Sequence, residues 1–132
     1  MCLFCRIING EIPAFKVYED DDVLAFLDIS QETTGHTLVI PKKHVENIFS
    51  LDEDTASKLF KVVTKLAKLL QEKLGCEAIN ILNNSGELAG QSVMHFHIHL
   101  IPQYKDEHIS FNHIMHEPDF EKLKQTQELI LK

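Results

Sequence analysis

The most regular hydrophobic pattern of the chain lies between Ser50 and Gly75. Apolar residues recur there at steps of three and four positions, which places them on one face of a helix. Ser50 and Glu53 have the spacing of a capping box, and Gly75 is typical of the position after a helix. We therefore predict a long amphipathic helix that packs against a sheet. Its apolar positions are Ala56, Leu59, Phe60, Val63, Leu66, Ala67, Leu70 and Leu74.

Short apolar segments on both sides of this helix predict the strands of the sheet. The first two flank the acidic turn 19–22 and have the arrangement of a β-hairpin. The predicted strands are residues 17–19, 23–27, 37–40, 78–82 and 95–101, with Pro41 and Pro102 ending the third and the fifth. Short helices are predicted at 42–49, around His44, and at about 118–131, after Pro118. These elements predict an α+β domain with an antiparallel sheet and helices packed mainly on one side.

The length and the charge of the chain exclude several classes of protein. A chain of 132 residues has room for one domain, and no apolar run of about 18 residues is present to span a membrane. The net charge of -7 argues against binding nucleic acid, which depends on clustered Lys and Arg. The first residues lack the apolar region of a signal peptide, so we expect a cytoplasmic protein. In that compartment Cys2, Cys5 and Cys76 are expected to be reduced thiols or metal ligands.

Histidines alternate with apolar residues from His95 to His99. In an extended strand, this alternation places all three imidazoles on one face of the sheet. A neutral imidazole has a nucleophilic nitrogen at pH 7, and a covalent histidine intermediate divides one hard displacement into two easier ones. Just before, the turn at residues 90–92 can offer backbone N–H groups and a hydroxyl to phosphate oxygens. The pattern indicates a surface for one phosphoryl group or one metal ion.

Three motifs of the chain resemble the histidine-triad (HIT) superfamily, and its Hint-like bacterial branch in particular. They are Gly90-Gln91-Ser92-Val93 with His95-Phe96-His97-Ile98-His99-Leu100-Ile101, then Ala25-Phe26-Leu27-Asp28-Ile29, and Gly35-His36-Thr37-Leu38-Val39-Ile40-Pro41-Lys42-Lys43-His44. The resemblance covers about residues 2–103 and implies that 1–132 is a single domain with the HIT fold. Residues 104–132 are a divergent C-terminal tail with a predicted helix.

The resemblance implies a role for each matching residue. His97 would be the nucleophile that becomes nucleotidylated, His99 would contact the scissile phosphate, and His36 would complete the histidine cluster. Asp28 and Ile29 would hold the ribose hydroxyls and the purine face, although Asp28 is also typical of a turn or a cap. Asn83 and Ser92 would contact the phosphate, Ser92 also with a catalytic role, and Gln91 is expected to bind the substrate as well.

Cys2 and Cys5 form a C-x-x-C pair, which by itself fits a redox motif, a zinc half-site or two incidental thiols. Zinc-bearing bacterial members of the family complete such a pair with two histidines that match His44 and His95. The resemblance therefore implies a closed structural zinc site and no metal at the reacting phosphorus. The alternative is that His95 belongs to the active site and that the cysteines bind nothing.

These observations lead us to expect a nucleotide hydrolase or transferase that acts on adenosine phosphoramidates, with AMP or an AMP conjugate as ligand. A hydrolase of dinucleoside polyphosphates, a non-catalytic module that binds purine nucleotides, and a hydrolase with a catalytic metal on the histidine face are the alternatives. The resemblance also implies a homodimer. The chain has no tryptophan, whereas the best-known Hint proteins end in a Trp-containing tail, so the leaving group is left open.

Overall fold

The computed structural model describes residues 2–132, and this part of the chain contains five strands and three α-helices. The strands are β1 (Lys16–Glu19), β2 (Val23–Leu27), β3 (Thr37–Pro41), β4 (Ala78–Leu82) and β5 (Ile98–Gln103). The helices are α1 (Leu3–Ile8), α2 (Glu53–Leu74) and α3 (Phe120–Leu131). All strand pairs are antiparallel, and the order in the sheet is β1-β2-β3-β5-β4. The predicted α+β class and the predicted hairpin are confirmed.

Helix α2 is the predicted amphipathic helix, but its N-terminal cap differs from the prediction. The cap is Asp52, whose carboxylate accepts the backbone N–H of Thr55 at 2.9 Å. Ser50 instead ends a short 3-10 turn, Ile48–Ser50. A carboxylate at the N-terminus also interacts favourably with the helix dipole, which explains why Asp52 takes this position. At the other end, Gly75 adopts the predicted left-handed conformation with φ of 76°.

The two faces of the sheet bury different sets of residues. One face carries Val23, Ala25, Val39, Ile98 and Leu100, which pack with the buried side of α2. The other carries Leu24, Phe26, Leu38 and Ile40, which pack with Phe4 and Ile7 of α1. Every second residue of β2 and β3 therefore enters the same core, as the period of a strand requires. Helix α1, which the sequence analysis did not predict, covers the sheet face opposite to α2.

Two predicted elements near the histidines are wrong. Residues 42–47 form no helix, and only the 3-10 turn Ile48–Ser50 follows them. The strand predicted at 95–101 begins only at Ile98 and continues through Pro102 to Gln103. Residues before Ile98 do not join the ladder, because the Phe96 N–H donates to the Val45 carbonyl of the preceding loop. His95 and His97 therefore lie on a connecting segment that leads into β5.

The C-terminal tail is exposed over most of its length. Helix α3 begins at Phe120 with Asp119 as its cap, close to the predicted start at Pro118, and it buries none of its residues. Among residues 2–132, no helix is long and apolar enough to cross a membrane.

Candidate active site

His97 lies directly before β5, and its surroundings fix one tautomer of the imidazole. Nδ1 is 2.7 Å from the carbonyl oxygen of His95. Because a carbonyl only accepts, Nδ1 carries the proton and Nε2 keeps its lone pair. The residue is 6% exposed, and the ring of Phe4 packs against it at 89°. His97 therefore presents a neutral nucleophilic nitrogen in a fixed orientation.

Two further imidazoles form a chain of hydrogen bonds beside His97. His36 Nδ1 accepts the backbone N–H of Glu32 at 3.2 Å, so its proton is on Nε2. This Nε2–H donates to Nδ1 of His99 at 2.9 Å. His99 consequently carries its own proton on Nε2, where it is a donor for an anionic oxygen. The ring centres of His97 and His99 are 5.0 Å apart, so a nitrogen with a lone pair and an N–H donor lie side by side.

Asp28 follows β2 and is ionised. Its Oδ1 accepts both the backbone N–H of Ser30 at 2.8 Å and the Ser30 hydroxyl at 2.6 Å. Burial raises the pKa of this carboxyl, but the two hydrogen bonds from Ser30 together with the nearby His36 and His99 outweigh burial and hold the pKa below its ordinary value. Oδ2 lies 3.7 Å from His36 Nε2 and has further capacity to accept hydrogen bonds. Asp28 thus stabilises a turn with one carboxylate oxygen and keeps the other oxygen available.

Burial keeps the histidines of β5 and its lead-in segment uncharged at neutral pH. It lowers the pKa of His97 below the ordinary value. For His99, burial and then the neighbouring His97 and His36 lower the pKa to about 4. A neutral imidazole is the form that a nucleophile requires, because protonation would occupy the lone pair on Nε2.

We expect His99 to reduce stability in acid. Its pKa is about 4 in the folded protein against the ordinary 6.5, so between these pH values the unfolded chain binds more protons. The contribution of His99 to the free energy of unfolding is therefore largest above pH 6.5 and is lost as the pH falls to 4. The variant His99→Asn keeps an acceptor for His36 but does not titrate. Denaturant unfolding measures the free energy of unfolding of both proteins across this pH range, and this free energy should change less with pH in the variant. An equal change with pH in both proteins would contradict the expectation.

A cavity of about 380 Å³ opens over His97 and His99. Its remaining walls are mainly apolar and come from α1, the segment after it, β2 and β3. The lining residues outside the histidine pair include Leu3, Phe4, Ile7, Ile12, Phe26 and Leu38. Asp28 lies in the same wall, and Ile29, which is 91% exposed, lies at its edge. The cavity combines an apolar slot, one carboxylate and two imidazoles, a composition that suits a planar base with polar groups on one side.

Of the turn 90–92, which was predicted to bind phosphate, both Gly90 and Ser92 line the cavity. The backbone N–H of Gly90 donates to Glu87 and that of Gln91 donates to Gly86, so neither is free for a ligand. Ser92 lines the cavity, and its hydroxyl has no hydrogen-bond partner within residues 2–132. The predicted backbone cradle is thus wrong for Gly90 and Gln91, while the Ser92 hydroxyl remains a candidate.

Asn83 and Gln91 were predicted to contact substrate, but the structure uses their amides elsewhere. Asn83 Nδ2 donates to the His97 carbonyl at 2.9 Å. Gln91 is 4% exposed, and its Nε2 donates to the carbonyls of Glu46 and Val93. Neither residue lines the cavity, whereas Asn84 does. We therefore correct both from substrate contacts to residues that position the backbone around His97.

The apolar wall on α1 is the part of the site that sequence reasoning missed. Leu3, Phe4 and Ile7 have helical spacing, but a six-residue helix is too short for periodicity to reveal. The ring of Phe4 contacts those of Phe26, His95 and His97. This helix therefore connects the C-x-x-C pair to His97.

Cys2, Cys5, His44 and His95 converge next to this helix, as the zinc prediction requires. The Sγ atoms of both cysteines lie 3.3–3.6 Å from the Nδ1 atoms of both histidines, and the two Nδ1 atoms are 3.2 Å apart. The Nε2–H of His95 donates to the Pro41 carbonyl at 2.8 Å, so its Nδ1 presents a lone pair to the cluster. The four ligand atoms all lie within 4.8 Å of one another.

These separations fit a tetrahedral zinc ion. Usual zinc–ligand lengths place two tetrahedral nitrogens about 3.3 Å apart and a nitrogen and a sulfur about 3.6 Å apart. The donor set is also the one that closed structural zinc sites use. The arrangement is therefore a candidate metal centre separate from the cavity.

Comparison with known proteins identifies relatives over most of the chain. A family model described as HIT domain matches residues 9–106. Protein hit of Bacillus subtilis is 54% identical over 103 residues, which are 78% of this chain and 71% of that protein. The adenosine 5'-monophosphoramidase hnt1 of Schizosaccharomyces pombe is 39% identical over 107 residues, 81% of this chain and 77% of that protein.

Solved structures share the fold at similar identity. A crystal structure from Streptococcus mutans has a TM-score of 0.94 and 50% identity, and the match covers 98% of this chain and 83% of that one. A zinc-bound histidine triad family protein from Mycobacterium smegmatis has a TM-score of 0.79 and 34% identity, with 97% and 96% covered.

Proposed function

Since this chain belongs to the HIT domain family, we propose that it is a nucleotide hydrolase or transferase that acts on adenosine phosphoramidates through a covalent nucleotidyl-His97 intermediate. One observation carries the proposal. The His95 carbonyl fixes the proton of His97 on Nδ1, which leaves the lone pair of Nε2 free at a cavity. The relatives of this chain include proteins named adenosine 5'-monophosphoramidase, which supports an AMP-type substrate.

The proposed reaction has two displacements at the same phosphorus. The lone pair of His97 Nε2 attacks the α-phosphorus, and the bond from phosphorus to the leaving amine breaks. The amine departs with the bonding electron pair and takes a proton from solvent. Water then attacks the phosphorus and loses a proton to solvent. The bond from phosphorus to Nε2 breaks, its electron pair stays on Nε2, and AMP is released. His99 Nε2–H donates to a non-bridging oxygen and stabilises the charge that develops in both steps.

The cavity walls supply the proposed contacts to the nucleotide. The Asp28 carboxylate accepts hydrogen bonds from the two ribose hydroxyls, which are vicinal donors within reach of one carboxylate. Ile29 and the apolar residues of α1 cover the purine face. The Ser92 hydroxyl donates to the phosphate. No cation is required for these contacts.

We expect Asp28→Asn to weaken recognition of the ribose. The amide can accept fewer hydrogen bonds than the carboxylate and carries no charge, so KM should rise by about tenfold to a hundredfold. The measurement compares the kcat/KM of each protein for an adenosine substrate and its 2'-deoxy analogue. The native protein should strongly prefer the adenosine substrate to the 2'-deoxy analogue, and the variant should prefer it only weakly. Equal discrimination by both proteins would remove Asp28 from the ribose site.

We also propose that Cys2, Cys5, His44 and His95 hold one zinc ion with a structural role. The two thiolates offset its charge, and four protein ligands leave no open position for water. The ion would anchor α1, and with it the cavity wall formed by Leu3, Phe4 and Ile7. The zinc-bound relative from Mycobacterium smegmatis supports this assignment.

A catalytic metal on the histidine face is less well supported. Asp28, His36 and His99 do place three possible ligand atoms within 4.8 Å of one another. However, the hydrogen bond from His36 Nε2 to His99 Nδ1 already uses both nitrogens. A metal there would displace that proton and break the chain that orients His99.

Turnover of AMP-linked compounds tests the proposed function. The native protein, purified with its metal, is assayed with adenosine 5'-phosphoramidate, a lysyl phosphoramidate of AMP and a dinucleoside polyphosphate. Release of AMP from the phosphoramidates supports the proposal, and faster release from the polyphosphate would favour the alternative substrate. Binding of AMP without turnover of any compound would instead favour a nucleotide-binding module. Immediate loss of turnover with chelator, before any loss of fold, would favour a catalytic metal.

We further propose that residues 1–132 form one HIT domain that pairs with a second copy in the cytoplasm. Strand β4 is at the sheet edge and leaves Ile81 half exposed. Helix α3 exposes Phe120, Leu129 and Ile130, and pairing would cover such apolar surfaces. Sedimentation should therefore give twice the mass of the chain, and a monomer at micromolar concentration would contradict this part of the proposal.

A further inference from the structure

Gln31 has a backbone conformation that few residues of its type adopt. Its φ is 39°, and within residues 2–132 it is the single non-glycine residue with a positive φ. Side chains other than glycine, asparagine and aspartate are rare in this region because Cβ approaches the backbone. A residue persists there when its surroundings hold it, and such positions are concentrated at functional sites.

The side-chain amide of Gln31 makes three hydrogen bonds, and all of them go to the backbone of its own loop. Nε2 donates to the carbonyl of Asp28 and to the carbonyl of His36, each at 2.7 Å. Oε1 accepts the backbone N–H of Gly35 at 2.8 Å. Both amide protons and the amide oxygen are thus used, so the amide links the start and the end of the loop 28–36.

This loop supplies two of the residues assigned to the cavity and its histidine chain. The Asp28 N–H donates to the His36 carbonyl at 2.9 Å, which closes the loop beneath the Gln31 amide. His36 in turn donates from Nε2 to His99 and fixes the tautomer of His99. A change in the loop would therefore disturb His99, on β5, through the hydrogen bond that His36 donates to it.

We propose that Gln31 is a positioning residue, whose amide braces the loop 28–36 so that His36 holds His99 with its proton directed at the substrate. This proposal deepens the proposed function and rests on it for its catalytic consequence. Gln31 does not line the cavity, so its effect is transmitted through His36 and not through contact with the nucleotide.

Two variants separate the amide from the backbone conformation. Gln31→Gly adopts a positive φ without strain but has no amide, and Gln31→Asn tolerates the same φ but is one methylene too short to reach all three partners. Gln103→Ala is the matched control, because the Gln103 amide also bonds within the fold, to Asn80 and Ile109, on β5 and away from the loop. Each protein is assayed for kcat and KM, and ring ¹⁵N resonances report the tautomers of His36 and His99.

The proposal predicts that both Gln31 variants remain folded and lose about tenfold to a hundredfold in kcat, with a smaller change in KM. Their His99 ring should become a mixture of tautomers, whereas Gln103→Ala should match the native protein in both measurements. Native kcat and a native tautomer in Gln31→Gly would overturn the proposal, as would a fall in kcat with the tautomer unchanged. If the native protein turns over no AMP-linked compound, the tautomer measurement still decides whether Gln31 orients the histidines.

Discussion

His97→Ala should lower the turnover of an adenosine phosphoramidate by about 10³-fold or more, which is typical of removing a covalent nucleophile. Two imidazoles line the cavity. His97 has a lone pair on its free Nε2, whereas Nε2 of His99 carries a proton. Removing His97 leaves no comparable nucleophile next to the phosphate. Steady-state assays with a phosphoramidate measure the loss.

The fold should survive this change, and binding of AMP should be largely retained. Asp28 is held by Ser30, and Phe4 of the apolar wall, which contacts the His97 ring, also packs against Phe26. His113→Ala is a matched control, since His113 lies exposed in the tail outside the cavity. A His97→Ala protein that keeps more than about a tenth of native turnover would show that another group attacks the phosphorus.

Cys5→Ala should remove the bound metal and destabilise the protein. We expect Tm to fall on the order of 10 °C, about 3 kcal/mol for a domain of this size, because metal binding contributes directly to folding. Helix α1 carries Cys5 together with Leu3, Phe4 and Ile7 of the cavity wall. Loss of the metal should therefore also weaken binding of AMP, even at temperatures where the protein is folded.

The control for this change is Cys76→Ala, which alters the remaining cysteine. Cys76 is buried near the end of α2 and is not part of the four-residue cluster. Metal analysis should find about one zinc per chain in the native protein and in Cys76→Ala, and much less in Cys5→Ala. Equal metal content in Cys5→Ala, or a native protein that does not retain zinc, would contradict the assignment.

The sequence predicted those parts of the fold that depend on local patterns. The short apolar segments of β2 and β4 and the three- and four-residue steps of α2 can each be seen within one element, and the structure has these elements. The cap of α2 was misplaced because Ser50 and Asp52 both suit an N-cap. Ser50 belongs to the adjacent 3-10 turn, and Asp52 also has the charge that the helix dipole favours. Short elements such as α1 carry too few residues to show a period.

The sequence predicted which histidines form the site, but it predicted the hydrogen bonds of the surrounding residues less well. Motif resemblance brought His36, His97 and His99 together, and the structure places them in one cluster. Asn83 and Gln91 were misassigned, because a sequence match does not show whether an amide faces a ligand or a backbone carbonyl. Likewise, the three bonds of Gln31 depend on a loop conformation that no local pattern reveals.

The most direct test of the central claim is to trap the covalent adduct and map it. The native protein is mixed with an adenosine phosphoramidate, quenched rapidly at alkaline pH and digested, and the peptides are examined by mass spectrometry. We predict an AMP adduct on His97 that is labile in acid. An adduct on His99 or on another residue, or turnover that leaves no adduct on rapid quenching, would contradict it.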